Sequence, residues 1–404
     1  MKPLKNPEKK QNITQKRTIK KQAPDSSHFE KETFAYFQKR QKKLKIVATT
    51  KTPGGQILDW IPIESQHPKG IIAQPPPQSS LILPKGTKKE QIAKFELEHQ
   101  EVERGPEGTV PILRKDLKKL RPTKSLKRYL SKHRNRSKQF ARTSNGLMIP
   151  MPEEGGNHRY ASTGQSTTCY GGEGVLSAFD PYVESSDDFS LMQIGLSNSS
   201  STMQTVEAGW QEMQDIYGDW VPHLFLFYTT NNYTDEGDNK GGYNRDVDGW
   251  VQYDGSVYPG AISSPNSTRG GGQYVMRIKF QLYQGNWWFS CNSRWLGYYP
   301  ASLFFRSGLA NHADWIGFWG EIYDSDDVAG KTTTDMGSGY WPDAGWTWSA
   351  YQRNLLVQTN SAGHLTNYNG AGSAPDPDMY DLITHMNSGS SWGSYFWMGG
   401  PGAG

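Results

Sequence analysis

The 404-residue chain has only two cysteines and lacks the short motifs of the common metal hydrolases. It contains no HExxH and no CxxC pair, and the histidines of its second half are scattered: His158, His223, His312, His364 and His385. A zinc site needs three or four converging ligands, so we expect no metal and no other cofactor. Cys169 and Cys291 could form one disulfide or remain as buried thiols, and the sequence leaves both alternatives open.

Long apolar runs are also missing from the chain. No window approaches the roughly 18 apolar residues that a membrane-spanning helix needs, so no membrane association is expected. The chain starts with Met1 and four lysines within its first ten residues, without an apolar stretch. This start predicts that the chain as written has no cleavable signal peptide.

Lysine is scarce in the second half, which has only Lys240, Lys279 and Lys331. Residues 1–150 carry 34 basic and 13 acidic side chains, a net of +21, whereas residues 151–404 carry 10 and 27, a net of −17. The overall charge of +4 therefore describes neither half. This asymmetry indicates two units with different roles.

The composition divides the chain into three regions. Residues 1–45 are rich in Lys and Gln, and we expect them to be disordered or only marginally helical. Within residues 46–152, short apolar stretches over 46–84 indicate a strand pair, and the spacing of apolar residues over 88–103 predicts one helix. Residues 153–404 are rich in Gly, Asn, Ser, Tyr and Trp, and we expect them to form one large domain.

Strand patterns recur in the third region. Apolar and polar residues alternate over 274–283, as a half-buried strand requires, and residues 284–286 predict a hairpin turn before Trp287. Similar strand patterns occur at 190–196 and 223–228, and few segments have helical periodicity. The predicted fold is all-β, an antiparallel β-sandwich, preceded by a basic, partly disordered segment with some α/β structure.

Two carboxylates differ from the others because Gly and Trp surround them. Glu207 lies in Val-Glu-Ala-Gly-Trp, and Glu321 lies in Phe-Trp-Gly-Glu-Ile. A carboxyl group with apolar neighbours can point into a cleft of low dielectric constant, where its proton affinity changes. For either residue taken alone, a strand glutamate that faces solvent is the better interpretation.

A series of motifs resembles the neprosin family of glutamic peptidases. The segment 107–114 (EGTVPILR) is similar to a stretch of that family's propeptide, and His158-Arg159-Tyr160-Ala161 resembles the start of its mature domain. Further matching motifs follow in the family's order: FSLMQI at 189–194, EAGW at 207–210, YGD at 217–219, NWW at 286–288, LGYYPASLF at 296–304, WGE at 319–321 and MGSG at 336–339. One departure is Gly242, which stands where the family has a cysteine.

The resemblance implies a specific activity. It places the family's two catalytic glutamates on Glu207 and Glu321, and it implies a sandwich of two large antiparallel sheets. It also implies a secreted zymogen whose mature form is active at acid pH and hydrolyses peptide bonds on the C-terminal side of proline. Residues 46–152 would then be the propeptide and activation region, and residues 153–404 the catalytic domain.

Physical arguments add further expectations. A basic propeptide should bind the acidic domain as an intramolecular inhibitor, and cleavage after Pro150 or Pro152 would release that domain. Aromatic rings stack well on a pyrrolidine ring, so four aromatic residues are candidate substrate-binding walls, with ordinary core packing as the alternative: Trp210, Tyr217, Trp319 and Tyr340. We expect a monomer that acts on proline-rich peptides or proteins.

Three other classes of function remain open. Paired carboxylates in an aromatic β-sandwich also suit a glycoside hydrolase, and an aromatic surface alone suits a lectin-like carbohydrate-binding module. The 13 Lys and Arg between Arg114 and Arg142 could bind nucleic acid. Only Tyr129 and Phe140 are interleaved with them, without a recognised nucleic-acid motif, so no nucleic-acid partner is expected.

Overall fold

Alternation of apolar and polar residues in the acidic half produces long antiparallel strands, and the basic half is folded against them. The computed structural model describes residues 26–77, 90–99, 101–117, 119, 126–132, 140–142, 148–150, 158–325 and 332–403. All structural statements below concern these residues.

The N-terminal region contains two helices and seven short strands. The helices are α1 (Ser26–Lys43) and α2 (Leu126–Leu130), with 3₁₀ turns at Ile63–Gln66 and Glu96–Glu98. The strands are β1 (Ala48–Lys51), β2 (Ile57–Pro62), β3 (Glu90–Ile92), β4 (Lys94–Phe95), β5 (Thr109–Arg114), β6 (Phe140–Arg142) and β7 (Met148–Pro150). The first, second and fifth strands form a three-stranded sheet, and β6 pairs with β7.

Two expectations for this region are wrong. For 1–45 we expect disorder or marginal helicity, whereas α1 is an 18-residue helix that tertiary contacts hold: Phe37 packs edge to face on Tyr129 at 5.7 Å, and Arg40 pairs with Asp248 at 2.8 Å. Residues 1–25 lie outside the described residues. The helix expected over 88–103 is replaced by β3 and β4, because these strands pair with β16 and β15 of the acidic half.

The acidic half contains seventeen strands among the described residues. They are β8 (His158–Cys169), β9 (Gly171–Ser177), β10 (Phe189–Asn198), β11 (Gln204–Glu212), β12 (His223–Thr229), β13 (Gly241–Tyr243), β14 (Val251–Gln252), β15 (Ser263–Ser264), β16 (Gln273–Tyr283), β17 (Asn286–Cys291), β18 (Arg294–Pro300), β19 (Ala313–Tyr323), β20 (Ala350–Gln358), β21 (Leu365–Asn367), β22 (Ala371–Ser373), β23 (Asp381–His385) and β24 (Tyr395–Gly399). Helix α3 (Gln214–Tyr217) and 3₁₀ turns at Ala301–Leu303 and Pro342–Ala344 connect them.

Most of these strands form two large sheets. The seven-stranded sheet has the order β13-β12-β11-β10-β19-β8-β22, and the ten-stranded sheet has the main order β14-β18-β17-β16-β9-β20-β24-β23. Every pairing within them is antiparallel except the one between β3 and β16. The predicted all-β sandwich is thus confirmed.

The core lies between the two sheets. Inward residues of the seven-stranded sheet, such as Ile194 and Phe318, are completely buried together with Leu176 and Phe280 of the other sheet. Trp210 joins the two layers, because its indole N–H donates to the carbonyl oxygen of Ser177 at 2.9 Å. The other face of the seven-stranded sheet lies outside this core, and Lys132 of the basic N-terminal region packs on it, over Phe225 and Phe227 of β12.

Ion pairs connect the N-terminal region to the acidic half. Lys115 pairs with Asp246 at 2.8 Å, and both side chains are about nine-tenths buried. Lys127 pairs with Asp235 at 3.7 Å on the surface. One contact has the opposite polarity: Glu90 of β3 pairs with Arg353 of β20, and both are almost completely buried. The charge asymmetry in the sequence thus corresponds to direct contacts.

Candidate active site

The centre of the seven-stranded sheet brings the two predicted glutamates together. Strand β10 lies between β11 and β19, with Gly195 opposite Glu207 on one side and Leu191 opposite Glu321 on the other. Because residues two apart on a strand share a face, Glu207 and Glu321 point to the same side of the sheet. Strand β10 lies between them, and the residues of β10 that they lie opposite, Gly195 and Leu191, are four positions apart.

The carboxylate of Glu207 is buried and has defined donors. Its Oε1 atom accepts hydrogen bonds from the Tyr233 hydroxyl at 2.5 Å and from Thr205 Oγ1 at 2.8 Å. Its side chain is 1% exposed. A buried carboxylate needs such partners because the loss of hydration is costly.

The carboxylate of Glu321 is completely buried and has more polar neighbours. Its Oε2 atom accepts from Trp319 Nε1 at 3.2 Å and from Gln193 Nε2 at 3.4 Å. Its Oε1 atom lies 2.9 Å from His158 Nδ1 and accepts from the Tyr160 hydroxyl at 3.4 Å. Strands β8, β10 and β19 thus each supply groups that orient this side chain.

A lysine from the N-terminal region occupies the space between the glutamates. Lys132 follows α2, its side chain is completely buried, and its ammonium forms an ion pair with Glu207 Oε2. The same nitrogen lies 3.7 Å from Glu321 Oε2 and donates to Gln193 Oε1 at 3.4 Å. It also lies over the rings of Phe225 and Phe227, 5.7 and 5.3 Å from their centroids.

A glycine keeps the floor of the site open. A Cβ atom on Gly195 would lie 2.4 Å from Trp319 Cη2 and 3.5 Å from Glu207 Cγ. The Trp319 ring therefore occupies the space that a side chain at Gly195 would fill, and its N–H donates to Glu321.

Among the predicted substrate-binding residues, Trp319 contacts a glutamate of the pair, because its indole N–H donates to Glu321. Trp210 lies on the opposite face of the sheet, in the core, as the alternative interpretation held. Tyr217 stacks on His223 with ring centroids 4.0 Å apart, and burial raises its pKa. Tyr340 packs against Trp348 at 5.1 Å in a loop after β19.

The other sequence-based candidates have separate outcomes. Cys169 and Cys291 are free, buried thiols on strands of different sheets, so the disulfide alternative is wrong and the buried-thiol alternative holds. Burial raises the pKa of both thiols. Pro150 ends β7, and Pro152 lies outside the described residues.

Several site residues were missed at the level of sequence. Lys132 is one of 13 basic residues in 114–142, and nothing in its local sequence distinguishes it. Gln193 lies within the FSLMQI motif, two residues before Gly195. Because residues two apart on a strand share a face, the sequence could have placed Gln193 on the same face as Gly195. Tyr233 follows β12 in a loop with a positive φ of 55°, which the sequence pattern does not indicate.

The described part of the chain contains neither a metal-binding cluster nor a membrane-spanning helix. No group of three or more His, Cys, Asp or Glu side chains there could hold a metal ion. No helix there is long and apolar enough to cross a membrane.

The fold and the site define a class: an antiparallel β-sandwich protein with two buried glutamates on one sheet, covered by its own basic N-terminal region. A family model described as Neprosin matches residues 186–401, more than half of the chain. The chain belongs to the neprosin family, and hence to a family of peptidases.

Two solved structures have weak similarity to the chain. One is CG-16, a homodimeric agglutinin from chicken liver, with 10% identity and a TM-score of 0.20 over 39% of this chain and 93% of that chain. Another is a beta-porphyranase from the human gut bacterium Bacteroides plebeius, with 6% identity and a TM-score of 0.16 over 45% and 56% of the two chains. Scores this low carry no argument about fold or function.

Proposed function

We propose that the protein is a glutamic endopeptidase that is made as a zymogen and cleaves after proline at acid pH. The observation that carries this proposal is that the carboxylates of Glu207 and Glu321 both contact one ammonium, that of Lys132. Two buried carboxylates that reach one point can share a proton, and this is the arrangement that acid–base hydrolysis requires.

The reaction needs one ionised and one protonated glutamate. The ionised carboxylate takes a proton from water as the water oxygen bonds to the scissile carbonyl carbon. The protonated one hydrogen-bonds the carbonyl oxygen and then gives its proton to the leaving nitrogen as the C–N bond breaks. The pair therefore ends each turnover with one proton, which came from water and lies on the glutamate that acted as the base. A proton must return to the other glutamate before the next turnover.

Contacts with donors favour Glu321 as the ionised member. Trp319 and Gln193 donate to one of its oxygens and Tyr160 to the other, with His158 also in contact. Glu207 accepts from Tyr233 and Thr205 on Oε1, whereas its Oε2 atom accepts from Lys132, which leaves on activation. Hydrogen bonds to a carboxylate stabilise its charge, so Glu321 would act as the base and Glu207 as the acid.

Latency follows from the position of Lys132. Its ammonium stabilises both glutamates in the ionised form, which leaves no acid for the reaction, and its side chain fills the place of the substrate. Acid protonates a carboxylate and removes a partner of the lysine, so low pH would release the N-terminal region. Cleavage near Pro150 or Pro152 would then make the release permanent.

Trp319 supports the preference for proline. Its ring lies over Gly195 beside Glu321, where a flat aromatic surface could contact the pyrrolidine ring of a substrate. We propose that it forms one wall of the pocket for the residue before the scissile bond.

The test compares the full-length protein with its Glu207→Gln and Glu321→Gln variants. Each is cut by trypsin, which finds 13 Lys and Arg in 114–142 but only 10 in all of 151–404, and the trypsin is then blocked. Peptides with proline or alanine before the scissile bond are assayed at pH 3–7. We expect cleavage after proline by the wild type and none by either variant. Retained activity in either variant would overturn the assignment, and hydrolysis of a glycan instead would favour a glycoside hydrolase.

A further inference from the structure

Gln193 lies between the two glutamates on the central strand of the site. On β10 its neighbours across the sheet are Gly209 on one side and Trp319 on the other. Glu207 lies opposite Gly195, two residues after Gln193 on the strand, and Glu321 lies opposite Leu191, two residues before it. The glutamine thus shares their face at the midpoint of the diagonal that joins them.

Both ends of the Gln193 amide are engaged. Its Oε1 atom accepts from the Lys132 ammonium at 3.4 Å, and its Nε2 atom donates to Glu321 Oε2 at 3.4 Å. Because an ammonium has no acceptor and a carboxylate has no donor, this orientation of the amide satisfies both neighbours and the flipped one satisfies neither. The side chain is completely buried, which fixes that orientation.

The Lys132 ammonium marks the point where a small hydrogen-bond donor is held by three groups: Glu207, Glu321 and Gln193. A water molecule is similar in size and also donates hydrogen bonds. We propose that, once Lys132 leaves, Gln193 binds the attacking water of the reaction and orients it. This inference rests on the proposed peptidase function and adds a third catalytic residue to it.

The orientation has a chemical consequence. Water has two protons and two lone pairs. With one proton accepted by Glu321 and the other by the amide oxygen of Gln193, one lone pair is directed away from both acceptors, toward the scissile carbonyl carbon. The Gln193 N–H meanwhile holds Glu321 Oε2 in place. A neutral amide can perform both tasks without adding a third charge to the pair.

The test uses two substitutions with opposite properties. Gln193→Met keeps the length of the side chain and removes both hydrogen bonds. Gln193→Glu offers one donor and one acceptor, as the amide does, only when the new carboxyl group is protonated, because a carboxylic acid has one O–H donor and one carbonyl acceptor. Gln273→Met is the matched control, since Gln273 is a buried glutamine in the other large sheet that donates to loop carbonyls.

Full-length proteins are cut with trypsin as above, and kcat and KM are measured on the proline peptide from pH 3 to 7. We expect Gln193→Met to lower kcat about 100-fold with KM within a few-fold of the wild type, since misplacing a reacting group by about 1 Å costs that much. Gln193→Glu should recover activity toward pH 3 and lose it as the new carboxyl ionises. Gln273→Met should keep the wild-type kcat.

The outcomes separate this inference from the proposed function. If the wild type cleaves the peptide and both dyad variants do not, but Gln193→Met keeps kcat within about threefold, the role of Gln193 is overturned and the peptidase stands. If the dyad variants remain active, the proposed function itself fails. Should Gln193→Met not fold by circular dichroism, the pH profile of Gln193→Glu decides: a profile parallel to that of the wild type overturns the inference.

Discussion

The ammonium of Lys132 lies 3.7 Å from Glu321 Oε2 while it forms an ion pair with Glu207. One side chain from the basic half thus contacts both carboxylates of the acidic half at a site with no solvent exposure of the lysine. Removing one partner of a buried ion pair leaves an uncompensated charge, so this contact should control the state of the whole site.

Lys132→Ala should weaken latency. Without the ammonium, two neighbouring buried carboxylates cannot both stay ionised. The pair therefore takes up one shared proton, and this singly protonated form is the one that the reaction needs. We expect the variant to process itself faster than the wild type, and at pH values of about 6–7 where the wild type stays intact.

Electrophoresis of timed samples and cleavage of a proline peptide measure this effect. Lys127→Ala is the control, since Lys127 is exposed, follows the first residue of α2 and pairs with Asp235 only at 3.7 Å. Equal latency of the Lys132 variant and the wild type would contradict the proposed role.

Glu90→Ala should loosen the N-terminal region at a second place. Glu90 accepts from the Tyr351 hydroxyl at 2.7 Å and from Arg353 Nε at 3.0 Å, and its loss leaves a buried guanidinium without that carboxylate. We expect the full-length protein to lose about 3–5 kcal/mol of stability.

Urea unfolding and the rate of trypsin cleavage report this loss. After trypsin removal of the N-terminal region, kcat should equal that of the wild type, because Glu90 is no longer present in either protein. Glu64→Ala, at an exposed residue of the same region, should change neither quantity. An unchanged unfolding midpoint for Glu90→Ala would show that the pair does not anchor the region.

Gly195→Ala should impair the site without a backbone conflict. The added Cβ would lie 2.4 Å from Trp319 Cη2, so the indole must shift and its hydrogen bond to Glu321 changes. We expect kcat to fall at least tenfold and stability to fall by about 1–3 kcal/mol from overpacking.

Gly272→Ala provides the comparison, because a Cβ there would meet only Tyr274 Cε2 at 3.5 Å, an ordinary contact. The indole fluorescence and the kinetics of both variants are measured after activation. Wild-type kinetics for Gly195→Ala would mean that the position of Trp319 is unimportant.

Asp188 should make the protein more stable in acid. Burial raises its pKa from an ordinary 3.8 to about 7, so between pH 7 and 4 the folded protein binds a proton that the unfolded chain does not. Its contribution to stability therefore increases as pH falls from 7 to 4 and is lost as pH rises. Asp188→Asn imitates the neutral form and keeps an acceptor for the Ser325 donors.

We expect Asp188→Asn to be more stable than the wild type at pH 8, by at most about 4 kcal/mol, and equal to it near pH 3. Urea unfolding at pH 3, 5, 7 and 8 measures the difference. Asp187→Asn, at the exposed neighbouring residue, should follow the wild type. A constant difference between Asp188→Asn and the wild type at every pH would contradict the prediction.

Much of the fold was predictable because its signals are local. The alternation at 274–283 belongs to β16, and the turn at 284–286 leads into β17. The side of the sheet on which a residue lies was also predictable from its spacing along the strand. Trp319 and Glu321 are two residues apart and share a face, whereas Trp210 is three residues from Glu207 and faces the core. Local patterns were misleading for 88–103, where strand pairing with distant residues replaced the expected helix.

The sequence by itself determined the division into a basic and an acidic half, the sandwich, and the two glutamates with Gly and Trp neighbours. Only the tertiary structure decided that Lys132 lies between those glutamates, that Gln193 shares their face, and that Cys169 and Cys291 stay apart on different sheets. The physical reason is that such contacts depend on tertiary packing, strand order and register, which join residues from 61 positions apart (Lys132 and Gln193) to 189 positions apart (Lys132 and Glu321), and no local pattern encodes them.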